Sequence, residues 1–220
     1  MADIKKILTS MNDGLGEAKL VQTYSTSSSN DGYTYTYSTQ IGTAGYKRKL
    51  IIAAGYRSSN GISVTACTVN GLSATRVVHD LYAADGCTAC AIFCIDFDNT
   101  DTSANIVIST SGGFAIDSGM TMWNVEGLSS IIPKNVKSVL NADPHNLSLP
   151  AYKGGFIAGF VYDNGASGGS TWTGLIESSD NWKSTSAYII PEQDEPSRYI
   201  SANISQLAYS VGVAASWSKD

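Results

Sequence analysis

Residues 62–81 read ISVTACTVNGLSATRVVHDL. Two β-rich runs, Ile62 to Val69 and Ser73 to Leu81, are separated near Asn70-Gly71. An Asn-Gly step between such runs is the strongest short-range hairpin signal, because a type I′ turn needs positive φ at both central residues. The stretch therefore predicts two antiparallel strands.

Working outward, the pattern remains that of strands. Tyr33-Thr34-Tyr35-Thr36-Tyr37 alternates strictly, placing tyrosines on one face and threonines on the other. Leu50 to Tyr56 is continuously apolar, which predicts a central strand covered on both faces. Cys87 to Phe97 and Ala104 to Ser109 follow, joined by the acidic loop Asp98 to Asp101, and then Met120 to Val125. Residues 126–147 are irregular, with Pro133, Pro144 and His145, and hold one or two short strands. Regularity returns at Phe156 to Tyr162, Thr171 to Glu177, Ser186 to Ile190 and Leu207 to Trp217. Roughly ten or more strands spaced by Gly, Asn, Asp and Ser turns imply a sandwich or jelly roll. No internal repeat stands out. At the other end, Ile4, Ile7, Leu8 and Met11 have the spacing of a short amphipathic helix stopped near Gly14. It packs on the sandwich or serves as a docking arm; both readings stand.

The expected architecture is thus all-β: an antiparallel sandwich of jelly-roll type over residues 19–220, preceded by an N-terminal segment, residues 1–18, with a short helix. The chain has 220 residues, of which 43% are hydrophobic and only 15% charged. Gly, Ser, Thr, Asn and Tyr replace the missing charge, which suits turns and neutral polar surfaces. Net charge is −5. The densest basic stretch is Lys47-Arg48-Lys49, so nucleic acid is a poor partner. No apolar run approaches membrane-spanning length and Met1 to Gly16 lacks the apolar core of an export signal. A reducing cytoplasm is the expected site of folding.

Candidate chemistry is sparse. Cys87-x-x-Cys90-x-x-x-Cys94 invites a metal or disulfide reading. On a strand, however, Cys87 and Cys90 face opposite ways, and Cys90 and Cys94 sit roughly 13 Å apart. With Cys67, these read as buried free thiols. Gly165-Ala166-Ser167-Gly168-Gly169 matches a nucleophile elbow, yet strand formers follow where a helix is required. His79 lies beside Asp80 but on the opposite strand face, and His145 reads as a solvated loop histidine. Asp96-x-Asp98-Asn99-x-Asp101 resembles the start of a calcium loop without its glycine and bidentate glutamate. No metal or cofactor is expected. Tyr33, Tyr35 and Tyr37, with Trp172 and Trp182 near loop ends, are the candidate carbohydrate-stacking or subunit-interface residues. For the tyrosine stripe, core packing is an equal alternative.

Several segments resemble a β-sandwich module of tailed-bacteriophage and prophage virion proteins. They are Val69-Asn70-Gly71 followed by Ala74-Thr75, Trp123-x-Val125-x-Gly127-Leu128, Leu147-Ser148-Leu149-Pro150 leading to Gly154-Gly155, Thr171-Trp172-Thr173-Gly174-Leu175, and Ser216-Trp217-Ser218. In order they span most of residues 48–218. The resemblance implies a head-fibre, decoration or tail-fibre protein that forms a homo-oligomer and contacts other virion proteins, assembled in the host cytoplasm and often near host-surface contact. It supplies no catalytic residues. The expectation is a non-enzymatic virion protein, with a module binding host surface glycans as the alternative.

Overall fold

The computed structural model describes residues 17–28, 32–43, 48–58, 61–83, 87–112, 115–163, 170–181, 183–204 and 209–219. The expected N-terminal helix, with Ile4, Ile7, Leu8 and Met11, lies outside them. The described residues form strands and their connections. The first half contains β1 (Lys19–Ser28), β2 (Thr34–Gln40), β3 (Lys49–Ser58), β4 (Ser63–Val69), β5 (Leu72–Ser73), β6 (Thr75–Tyr82), β7 (Thr88–Asp96), β8 (Ser103–Ser111) and β9 (Ala115–Glu126). The second contains β10 (Asn135–Leu140), β11 (His145–Ala151), β12 (Phe156–Asp163), β13 (Ser170–Thr173), β14 (Ile176–Asn181), β15 (Ser184–Ile189), β16 (Glu195–Ile204) and β17 (Ser210–Trp217).

The hairpin at Asn70-Gly71 forms as the sequence predicts, with φ of 49° and 82° at its two central residues and β4 and β5 antiparallel. At Ala74 the chain then leaves one sheet and enters another as β6. The first half has a large sheet, β1-β9-β3-β7-β6, facing a small one, β2-β8-β4-β5. Counting β5 and β6 as one strand that changes sheets, this is a jelly roll.

The second half repeats the winding. Its large sheet is β10-β17-β12-β15-β14 and its small sheet β11-β16-β13. Each strand holds the place of its counterpart: β17 that of β9, β12 that of β3, β15 that of β7. The absence of a repeat in the sequence reading is therefore corrected. The duplication lies in winding and register, while the residues have diverged. Ile51 pairs with Trp123 in β3 and β9, Phe156 with Trp217 in β12 and β17, and Gly55 of β3 leaves room for Tyr162 of β12.

The two large sheets pack back to back, giving four layers. One core fills the first jelly roll, with Tyr35, Ile52, Phe93 and Ile106. Another fills the second, with Leu149, Ile157 and Ile200. The third, between the large sheets, combines Ile51, Ile92 and Trp123 with Phe156, Phe160, Val213 and Trp217. Contacts across this middle layer are partly reciprocal. β6 meets β10 as β14 meets β1, β7 meets β17 as β15 meets β9, and β3 meets β12, whereas the contacts of β6 with β17 and of β7 with β12 have no counterpart of like extent. The arrangement approximates an isologous dimer within one chain.

Layer position explains the hydrophobic patterns. β12 and β17 are buried at every residue, and β3 at all but one, because both their faces are covered. β2 alternates exposed and buried, because its outer face meets solvent.

At the middle layer, size complementarity decides the fit. Gly55 and Gly119 are partners across β3 and β9, and Tyr162 lies over them. A Cβ at Gly55 would stand 2.4 Å from the Tyr162 Cβ, and one at Gly119 2.3 Å from the Ser184 Oγ. Overpacking of this kind costs about 1–3 kcal/mol or more. Gly55→Ala is therefore expected to lower the thermal midpoint of both halves together, read by calorimetry as a single shifted transition. The four cysteines are free and buried, as the sequence implies. Burial pushes the thiols of Cys67 and Cys94 up to about 12 and raises that of Cys90. Ellman's reagent should leave all four untouched until denaturant is added.

Candidate functional site

Tyr35 and Tyr37 take the core alternative. Both point inward from β2 and are buried. The Tyr35 hydroxyl donates to the Ala115 carbonyl at 2.8 Å, and its ring lies 4.9 Å from that of Tyr56. The Tyr37 hydroxyl is 2.6 Å from Ser118 Oγ. Desolvation raises the pKa of Tyr37, and that of Tyr56 far more. These phenols tie the small sheet to the large one and offer no face to a sugar. Tyr33 is exposed. Trp172 is half-buried on β13, donating from Nε1 to Thr185 Oγ1 at 2.7 Å, with its ring over Gly159. It closes the second core. Trp182 and Gly165 to Gly169 lie outside the described residues.

A polar groove of about 660 Å³ opens at the rim of the first jelly roll, between the edge strands β1 and β2. Gln22 and Tyr24 from β1, Ser38 and Gln40 from β2, and Asn70, Asp101 and Asn105 line it. Its far wall is a hydrogen-bonded relay. Ser38 Oγ donates to Asn105 Oδ1 at 2.7 Å, and the Asn105 backbone N–H donates to Asn70 Oδ1 at 2.8 Å. Asn70 Nδ2 donates to Asp101 Oδ2 at 3.0 Å, which also accepts from Asn99 Nδ2 at 2.9 Å. The Asn70-Gly71 turn thus aims an amide at the acidic loop.

That loop is held from below by Arg48, which is fully buried. Its guanidinium donates to the carbonyls of Phe97, Asp101 and Asn99 at 2.9, 3.0 and 2.9 Å, and to Asn99 Oδ1 at 2.9 Å. Desolvation lowers its pKa, opposed by Asp101 and Asp98. Lys49 pairs with Asp96 at 2.7 Å. Arg48 is therefore the anchor of the acidic loop. Among the described residues, no three His, Cys, Asp or Glu side chains gather around a metal position. The sequence marks Asn70 and Asp101 separately. Their union with Gln22, Tyr24 and Asn105 is tertiary, and no local signal announces it.

A second charged group lies where the two halves meet. Asp117 accepts from the Tyr162 hydroxyl and from Lys183, with Arg57 3.9 Å away. Desolvation and the adjacent carboxylate raise the Tyr162 pKa strongly. This group joins β9 to the β12–β15 pair and works as a weld. One serine–histidine contact occurs among the described residues, Ser63 Oγ to His79 Nε2 at 3.2 Å. Asp80, on the opposite face, bonds Leu81 N and Ser138 Oγ, so it does not orient the imidazole as a triad acid does.

No family model matches the chain, and no curated protein does. Among solved structures it is similar to dimeric latent PorU from Porphyromonas gingivalis, at 9% identity and a TM-score of 0.35 over 88% of this chain. The chain spans 21% of the length of that one. No inference about fold or function follows from a likeness this distant.

His145 corrects the sequence reading. It starts β11 and is 1% exposed, packed against Gly212, with both ring nitrogens unpartnered among the described residues. Desolvation lowers its pKa from 6.5 to about 4, with Asp143 opposing. The folded chain thus refuses a proton that the unfolded chain accepts below pH 6.5. The stability tied to neutral His145 is full above that pH and is lost as pH falls toward 4, a change of about 3 kcal/mol in all. Urea midpoints measured from about pH 7.5 to about pH 4.5 should fall more steeply for the native chain than for His145→Leu.

Proposed function

We propose that this chain is a structural component of a tailed-bacteriophage particle, a head-decoration or fibre protein that forms a homo-oligomer and contacts other virion proteins. The observation that carries the reading is the doubled jelly roll with uncharged outer faces. The two large sheets seal each other, so the faces left for neighbours are those of the small sheets. On the first, Thr34, Thr36, Ser38 and Gln40 are exposed along β2. On the second, Asn146 and Ser148 flank the exposed Tyr199. Hydroxyl and amide faces desolvate at lower cost than charged ones, which suits close packing between subunits. The jelly-roll winding agrees with the phage-module resemblance of residues 48–218, and that resemblance brings no catalytic residues.

A second reading, a carbohydrate-binding module, is favoured by the same neutral polar surface. It loses Tyr35, Tyr37 and Trp172 as stacking residues, since all three serve the cores. Mass spectrometry of purified particles tests the first reading. The chain should appear at a fixed stoichiometry to the major capsid protein and survive washing in high salt. Particles that lack it would remove the proposal.

A further inference from the structure

We infer that the groove at the rim of the first jelly roll binds an uncharged oligosaccharide. The inference stands apart from the particle assignment and needs no virion partner.

Size is the first argument. At about 660 Å³ the groove falls within the range of small-ligand sites, about 300–1,000 Å³. The donor–acceptor inventory is the second. A sugar hydroxyl donates and accepts at once, and it is met best by side chains that do both. The groove supplies the amides of Gln22, Gln40, Asn70 and Asn105, the Ser38 hydroxyl and one carboxylate, Asp101. The relay already engages Asn105 Oδ1, both polar atoms of Asn70 and Asp101 Oδ2. Among the described residues, Asn105 Nδ2 remains as a donor and Asp101 Oδ1 as an acceptor. Tyr24, half-buried against the first core, adds aromatic surface.

Charge excludes the competing ligands. Among the described residues, no Lys or Arg lines the groove. The nearest guanidinium, that of Arg48, is spent on carbonyls beneath it. A phosphate, sulfate or uronate would meet the Asp101 carboxylate at the groove wall, while Arg48, the cation beside that residue, is held by carbonyls beneath it. Rigidity is the third argument. The Asn70-Gly71 turn, the relay and the Arg48 anchor fix Asn70 and Asp101 before any ligand arrives, so little ordering is left for binding to impose.

The full chain should be screened on an array of neutral and acidic tri- to hexasaccharides, with linear peptides as a further arm. The best neutral sugar is then titrated calorimetrically. Neutral sugars should be retained and acidic ones not. Asn105→Ala and Asp101→Asn should each weaken binding about tenfold or more, and Tyr199→Ala, on the far small sheet, should leave it unchanged. Asn105 is exposed, so a thermal midpoint within a few degrees of the native chain separates lost contacts from lost fold. Four outcomes would overturn the inference: no neutral sugar bound at about 1 mM, preference for acidic sugars, preference for peptides, or unchanged affinity in both groove variants. A chain missing from particles that still binds neutral sugars through Asn105 would refute the virion proposal alone.

Discussion

A sheet that is apolar on both faces must be covered on both. That constraint governs this molecule. In each half, the small sheet covers one face of the large sheet and leaves the other bare. The bare faces meet, and the middle core of Ile51, Trp123, Phe156, Phe160 and Trp217 is the result. Neither half is a finished sandwich, because separating them would expose that layer to water. Apolar burial of such area outweighs any single polar contact in the structure.

The polar features follow from the same packing. Asp117 with Tyr162 and Lys183 caps the seam where the large sheets touch, and Cys90 Sγ donates to the Val211 carbonyl across it at 3.2 Å. Chain ends of the halves interlock as well. Ala18 N donates to Gly154 O at 2.6 Å, tying the approach to β1 to the second half. Against this rigid body, the groove occupies a rim where β1 and β2 diverge. Its carboxylate and amides gain order from a scaffold that does not move with the ligand.

Much of the fold is legible in the sequence, and the reasons are local. Strict alternation in Tyr33 to Tyr37 marks a strand with one wet face, and the unbroken run Leu50 to Tyr56 marks one with none. Those two patterns already encode outer and inner layers. Asn70-Gly71 fixes a turn by backbone sterics alone. By contrast, β1 and β16 escape notice. In β16, Glu195, Pro196, Ser197 and Arg198 hide the period until Ile200. The duplication is invisible because the corresponding strands have diverged in residue size, Gly55 of β3 being required beneath Tyr162 of β12. The groove is equally silent, since its walls come from positions as distant as Gln22 and Asn105. His145 misleads because a proline-bearing segment normally runs outside, whereas here it opens a strand facing the second core.

The partly reciprocal contacts of the middle layer carry one more implication. Each half recognises the other through surfaces, and residues 127–134 supply the covalent tether, with Leu128 in the middle core and Ile131 packed against it. The surfaces do not distinguish a tethered partner from a half borrowed from a second molecule. Shortening that tether below the span it must cross would force two chains to trade halves, rebuilding every contact in an intertwined pair. Architecture of this type thus contains, within a single polypeptide, the complete instructions for an exchanged dimer.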